Sequence, residues 1–264
     1  MILLSALLYK IPLLLIVFIL LVSIFLFYLL GVKIGNYKKV HNPDAKAKGV
    51  GPLEGALLGL LSLLLSFTIS MSASRYDSRR TIIVQEANDI GTVISLADLY
   101  NDSICTAFRK DLKQYVTTRI AYYDATTDIT ISEERSNATL TAAHIWERAV
   151  ALSKKQPEYS RDMLMLPAIN TMTDIVTSRD AGRLATVPGL IIYLLIILTI
   201  LGSFIVGYSK KENKNDWIIL TLYALMTVMT IYTILDLDQP RSGLIQTGSP
   251  HEKIIELRDL FLKK

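Results

Sequence analysis

The sequence is poor in the residues from which most active sites are made. Its one cysteine, Cys105, excludes a disulfide framework. Three histidines, His41, His144 and His251, lie far apart, and no Cys/His group has metal-ligand spacing. Neither a GxGxxG nor a GxxxxGKS phosphate loop occurs. No run alternates apolar and polar residues as a half-buried strand does. Without a nucleophile–base pair, a metal cluster or a phosphate cradle, the chain does not read as an enzyme, and neither a cofactor nor a metal is expected. Nothing points to a nucleic-acid partner.

The most informative absence is of charge. Four runs contain no ionisable acid or base: Ile11–Val32, Gly55–Ser74, Leu184–Ser209 and Trp217–Leu235. Each has about 20 residues, enough at ~1.5 Å per residue to cross a ~30 Å hydrocarbon core. They explain a mean hydropathy of +0.38 and a hydrophobic share of 51%, too apolar for an ordinary soluble enzyme. The expected fold is therefore an all-α integral membrane protein that passes several times through a lipid bilayer, the cell membrane. Residues 1–74 form a first hairpin, with spans at about 11–32 and 53–74. Residues 75–183 form a helical extramembrane domain inserted between spans 2 and 3. Residues 184–235 form a second hairpin, with spans at about 185–208 and 217–235. Residues 236–264 form a tail with an amphipathic helix at about 250–263. The first run is no cleavable signal, because no small-x-small site follows it. Pro12 suits the first turn of span 1, and the lead segment Met1–Tyr9 reads as interfacial.

In the middle segment, "FRKDLKQYVTTRIAYY" places Phe108, Leu112, Tyr115, Val116, Arg119 and Ile120 at helical spacing. A later helix is expected to start at Ser132 as its N-cap. Another starts near Pro157, with Pro167 kinking or dividing it. In the tail, Ser249, Pro250 and Glu252 form a capping box. Ile254, Leu257, Leu260 and Phe261 make one apolar face, suited either to the chain's own domain or to a partner or membrane surface.

The second run carries a regular stripe of small residues. Gly51, Gly55 and Gly59 lead into Ser62, Ser66, Ser70, Ser74 and Ser78. At ~100° per residue, Gly51 to Ser74 fall on one half of a helix, with Leu57, Leu58, Leu61, Leu64 and Leu65 on the other. Small residues allow close helix packing, the role expected of Gly51, Gly55 and Gly59. Serines facing a central axis line a wet path instead. The spans contain no interior ionisable residue, which argues against a proton-coupled transporter and suits a passive channel or a sensor. From Leu60 to Ile90 there is neither glycine nor proline, so the helix is expected to leave the membrane unbroken. Beyond it lie Arg75, Arg79, Arg80 and Glu86, and after the last span Asp236 and Asp238. Together these read as local ion pairs or as an electropositive vestibule.

Two blocks, "GLLSLLLSFTISMSASRYDSRRTIIVQEANDIGT" followed by "ADLY", and "LDLDQPRSGLI", resemble the bacterial bestrophin-like membrane proteins. The resemblance covers most of the chain. It implies homopentamers that form an anion-selective chloride channel, with span 2 lining the pore and the helical region forming a cytosolic vestibule. By position, Ser62, Ser66, Phe67, Ile69 and Ser70 become pore-facing candidates. Asp236 and Asp238 precede Pro240 rather than following a Pro-Phe-Gly turn, a departure from the calcium-clasp pattern. The lysine-rich short loops, by contrast, favour the cytosolic side for themselves. Two functions follow as expectations: an oligomeric channel passing chloride or other small anions, or a non-conducting sensor or scaffold whose helical domain binds a signal or partner.

Overall fold

The structure is a computed structural model that describes residues 12–41, 51–155, 159–209, 217–239, 243–245 and 248–261. The lead segment Met1–Tyr9, Pro240 and residues 42–50 and 210–216 of the lysine-rich loops lie outside the described residues. Among the described residues every regular element is helical. The chain divides into two units, Met1–Tyr76 with Thr186–Ile245, and Asp77–Ala185 with Gln246–Lys264.

The first unit contains α1 (Leu13–His41), the apolar part of α2 (Gly51–Ala97), α6 (Gly189–Tyr208) and α7 (Trp217–Leu237). Among the described residues four helices are long and apolar enough to cross a membrane. Helix is the form that satisfies every backbone N–H and C=O where water is absent. Pro12 caps α1 rather than joining its first turn, since its carbonyl accepts the N–H of Leu15 and Ile16. The helix also runs beyond Val32 to His41. The helix of the third apolar run starts at Gly189. Residues 185–188 are not helical, because Pro188 has no N–H to donate and restricts Val187 before it.

α1 packs along α6 and α7. Its crossing with α6 is backbone-close. A methyl at Gly31 would collide with the Phe204 carbonyl, and one at Gly207 with the Tyr28 carbonyl. At Gly35 it would sit 2.7 Å from the Tyr208 carbonyl oxygen. Ser203 Oγ donates to the Ile24 carbonyl at 2.5 Å across the same interface. Ile24, Leu195, Ile231 and Ile234 fill the core. The outside carries large apolar groups, including Leu14, Phe18, Ile218 and Met226. A surface of that kind suits hydrocarbon and is unfavourable in water.

The second unit contains the remainder of α2, then α3 (Asp102–Asp124), α4 (Asp128–Lys155), α5 (Tyr159–Leu184), α8 (Gly248–Glu256) and a 3₁₀ turn, Leu257–Phe261. Asn101 caps α3, its side chain accepting the Ile104 N–H at 3.1 Å. α4 begins at Asp128, so Ser132 lies inside it. α5 runs through Pro167 undivided. α8 starts at Gly248, one residue before the expected cap at Ser249. Ile83, Ile90, Ile94, Phe108, Leu112, Ile145, Met165 and Ile169 form the core, and Ile254 and Leu257 join it. The tail's apolar face is therefore spent on its own unit.

Candidate functional site

The small stripe of α2 is the side of the helix that the protomer leaves uncovered. Gly55, Gly59, Ser62, Ser66, Ser70 and Ser74 are all exposed, while Leu61 is buried and Leu57, Leu64 and Leu65 pack into the core. A methyl placed on Gly55 or Gly59 would meet nothing within 4 Å. These two glycines make no close approach inside the protomer, unlike Gly31, Gly35 and Gly207. Gly51 opens the helix. Ser62 turns its hydroxyl back to the Gly59 carbonyl at 2.9 Å. Phe67 projects from the same face and is 66% exposed. Ile69 stands at the edge, half-buried against the core.

The border residues divide into separate arrangements. Asp236 is buried and accepts two backbone N–H groups, Leu244 at 2.8 Å and Ile245 at 2.9 Å. It shapes the turn after α7, where a side chain at Gly243 would strike its carboxylate. Asp238 is also buried, and its Oδ2 accepts the Val187 N–H at 2.5 Å. It thereby satisfies an amide in the non-helical link before α6. Arg75 is half-buried, with Nη2 3.7 Å from Met71 Sδ. Arg79 is buried and donates to the Ala185 carbonyl at 3.4 Å, whereas Arg80 is exposed.

Glu86 is the centre of the helical unit's polar interior. Arg119 Nε donates to Glu86 Oε1 at 2.5 Å, and Arg179 Nη1 donates to Oε2. All three side chains are buried. Burial alone would raise the Glu86 carboxyl. The two guanidiniums, Arg119 first and Arg179 second, outweigh it and hold the group below the usual carboxylate range. Burial pulls Arg179 down to about 10, still charged at neutral pH. The Arg119 guanidinium lies 4.9 Å from the Tyr122 ring centre and that of Arg179 3.4 Å from the Tyr123 ring centre, both cation–π distances. Among the described residues no group of three or more His, Cys, Asp or Glu could hold a metal ion.

The family model of the Bestrophin-like domain matches residues 16–249. The chain belongs to the Bestrophin-like family. Its fold is similar to that of a bacterial bestrophin homologue from Klebsiella pneumoniae carrying one mutation, with a TM-score of 0.74 and 11% identity. That match covers 95% of this chain and 97% of the other. A further structure of a bestrophin homologue from the same organism, solved by zinc phasing, gives a TM-score of 0.67 at 14% identity. It covers 94% and 99% of the two chains. No curated protein matches.

Two sets of residues in this bestrophin-like chain escaped the sequence reading. Gly31 and Gly35 stand in a G-x-x-x-G spacing at the lysine-bearing end of α1, and that spacing was the available signal. Arg119 falls among the apolar positions of α3, and a base on an apolar face signals a buried acid elsewhere.

Proposed function

We propose that this bestrophin-like protein is a homo-oligomeric, multi-pass channel in the cell membrane that passively conducts small ions, anions above all. The observation that carries the reading is the contrast between two exposed surfaces. α1 and α7 present Leu, Ile, Phe and Met outward, as lipid-facing helices do. α2 presents Gly55, Gly59, Ser62, Ser66, Ser70 and Ser74 beside Leu53, Leu60, Leu63 and Phe67, a far smaller and more polar mixture. A glycine–serine face gains little from hydrocarbon and suits a second copy of the chain or a hydrated path. Copies of α2 arranged around an axis would place Ser62, Ser66 and Ser70 toward ions and Phe67 at a constriction, with Ile69 beside them. Gly55 and Gly59 would let neighbouring helices approach. Arg80, exposed farther along the same helix, adds positive charge that would enrich anions. By likeness to bestrophins the ring is a pentamer and the ion chloride.

The deciding experiment joins assembly to flux. Native mass spectrometry in nanodiscs should give a closed ring, and liposomes should pass chloride faster than sodium. A stable monomer or dimer overturns the central pore.

A second reading has its own observation. A cavity of about 390 Å³ in the helical unit is lined by Tyr115, Arg135, Trp146, Asn170 and Asp180 among others. Such a cavity suits a small signal molecule and a non-conducting sensor. Flux insensitive to every change on the α2 face would favour it.

A further inference from the structure

The cavity between α3, α4 and α5 has the wall of a site for an organic cation. Its volume, about 390 Å³, falls in the range of small-molecule sites. The space exists because α4 contributes alanine at 138, 142 and 143, where larger side chains would close it. Ala138 and Ala142 lie one turn apart and are both buried. Val176 of α5 lines the same space, and so does Trp146, which stays 40% exposed.

Three charged side chains line the cavity, Arg135, Glu147 and Asp180. Arg135 and Asp180 pair at 2.8 Å and cancel. Glu147 is left over. Among the described residues nothing pairs with its carboxylate. Arg148, next in sequence, donates to Asp111 at 2.5 Å, and His144 faces the same acid at 3.4 Å. Lys155 stands eight residues farther along α4, about 12 Å by helical rise and beyond ion-pair reach. On α5, Asn170 lines the cavity and donates to Asp174 at 2.8 Å, so that edge holds another acid. A free carboxylate beside an indole face is complementary to an ammonium, through an ion pair and a cation–π contact. An anion would meet only repulsion from Glu147.

The opposite end has unused capacity of another kind. Asp180 Oδ2 is buried and, although close to Arg135 Nη2, makes no aligned hydrogen bond. Its other oxygen accepts the Tyr122 hydroxyl at 2.8 Å. Arg135 and Glu147 are twelve residues apart, about 18 Å along α4 and less between side-chain tips. The two ends therefore suit two groups of one extended ligand.

We propose that this cavity binds a small organic monocation, an amine with an apolar or aromatic body and a hydroxyl at its far end. The ammonium pairs with Glu147 beside Trp146. The body lies along the alanines and Val176, and the hydroxyl donates to Asp180. The inference rests on the cavity of the second reading being a ligand site and names the ligand's class. It requires neither conduction nor its absence.

The test uses the full chain in phosphatidylcholine nanodiscs, carrying Trp217→Phe so that Trp146 is the one indole. The probe is tyramine. Its control is para-hydroxyphenylpropionate, the same skeleton with a carboxylate in place of the ammonium. Tyramine should change Trp146 fluorescence saturably, and the control should not. Glu147→Gln keeps the side chain's shape and removes its charge. The half-saturating tyramine concentration should then rise about tenfold, the equivalent of one charge-assisted hydrogen bond. Ala143→Leu fills the cavity and should abolish the response at an unchanged melting temperature. No saturable response, an unchanged response in Glu147→Gln, or one that survives Ala143→Leu overturns the proposal. Saturation by the carboxylate alone overturns the amine and leaves the cavity a ligand site. Tyramine binding in a protein whose flux answers to the α2 face supports this site and gives up the non-conducting sensor.

Discussion

Asp238 accepts the backbone N–H of Val187 at 2.5 Å, tying the end of α7 to the link that precedes α6. The two residues are 51 positions apart, and both are buried. An orphaned buried amide costs about 1–3 kcal/mol. Asp238→Ala should therefore destabilise the detergent-solubilised protein by that amount, read as a lowered melting temperature. Asp238→Asn, which keeps an acceptor oxygen, should lose less. Equal losses would show that charge, rather than the amide cap, is what Asp238 supplies.

The glycines of α1 and α2 should behave differently. Gly31→Ala and Gly207→Ala place a methyl against a carbonyl of the facing helix, and overpacking of this kind costs about 1–3 kcal/mol or more. Gly55→Ala and Gly59→Ala meet nothing in the protomer. They should leave protomer unfolding unchanged and alter only the oligomer distribution in native mass spectrometry.

On the open face of α2, Ser66→Leu and Phe67→Ala should change chloride flux in liposomes in opposite directions while expression and oligomer size stay constant. Leucine narrows a path, and loss of the ring widens it. Reduced assembly with unit flux per oligomer preserved would return the stripe to helix packing.

Glu86 makes a prediction about acid. Its folded pKa lies below the ordinary 4.5, so its ion pairs contribute fully above that value and are lost as pH falls through the depressed one. The helical unit should keep this stabilisation down to the ordinary carboxylate range and lose it only as the pH falls further below that range. Glu86→Gln removes the shared counter-charge and should cost about 3–5 kcal/mol at neutral pH, as for one broken member of a buried ion pair. Fluorescence of Trp146, with Trp217 replaced by Phe, reports this unit. A variant as stable as the wild type at pH 7 would contradict the assignment.

The four long apolar helices were legible because about 20 residues without a charge are long and apolar enough to cross a membrane. The orientation of α2 was legible too: the angular division between Leu61 or Leu65 and Ser62 or Ser66 matches the division between covered and open faces. What stayed hidden needed three dimensions. Glu86 finds Arg119 at 33 residues' separation and Arg179 at 93, and no local period connects them. The start of the helix at Gly189 was hidden because hydropathy continues through Ala185–Pro188 although the helix does not. The acids after α7 read as members of ion pairs or of a charged vestibule, yet each accepts backbone amides.

The core position of Ile254 and Leu257 sets an order on synthesis. The helical unit is built from two stretches, Asp77–Ala185 and a segment that begins at Gln246, with two spans made in between. Its core therefore waits for residue 257 to leave the ribosome, long after α3, α4 and α5 have been translated. Until then the hydrophobic surface that the tail covers stands open. A stop codon before Ile254 should produce a chain that inserts its spans and still fails quality control.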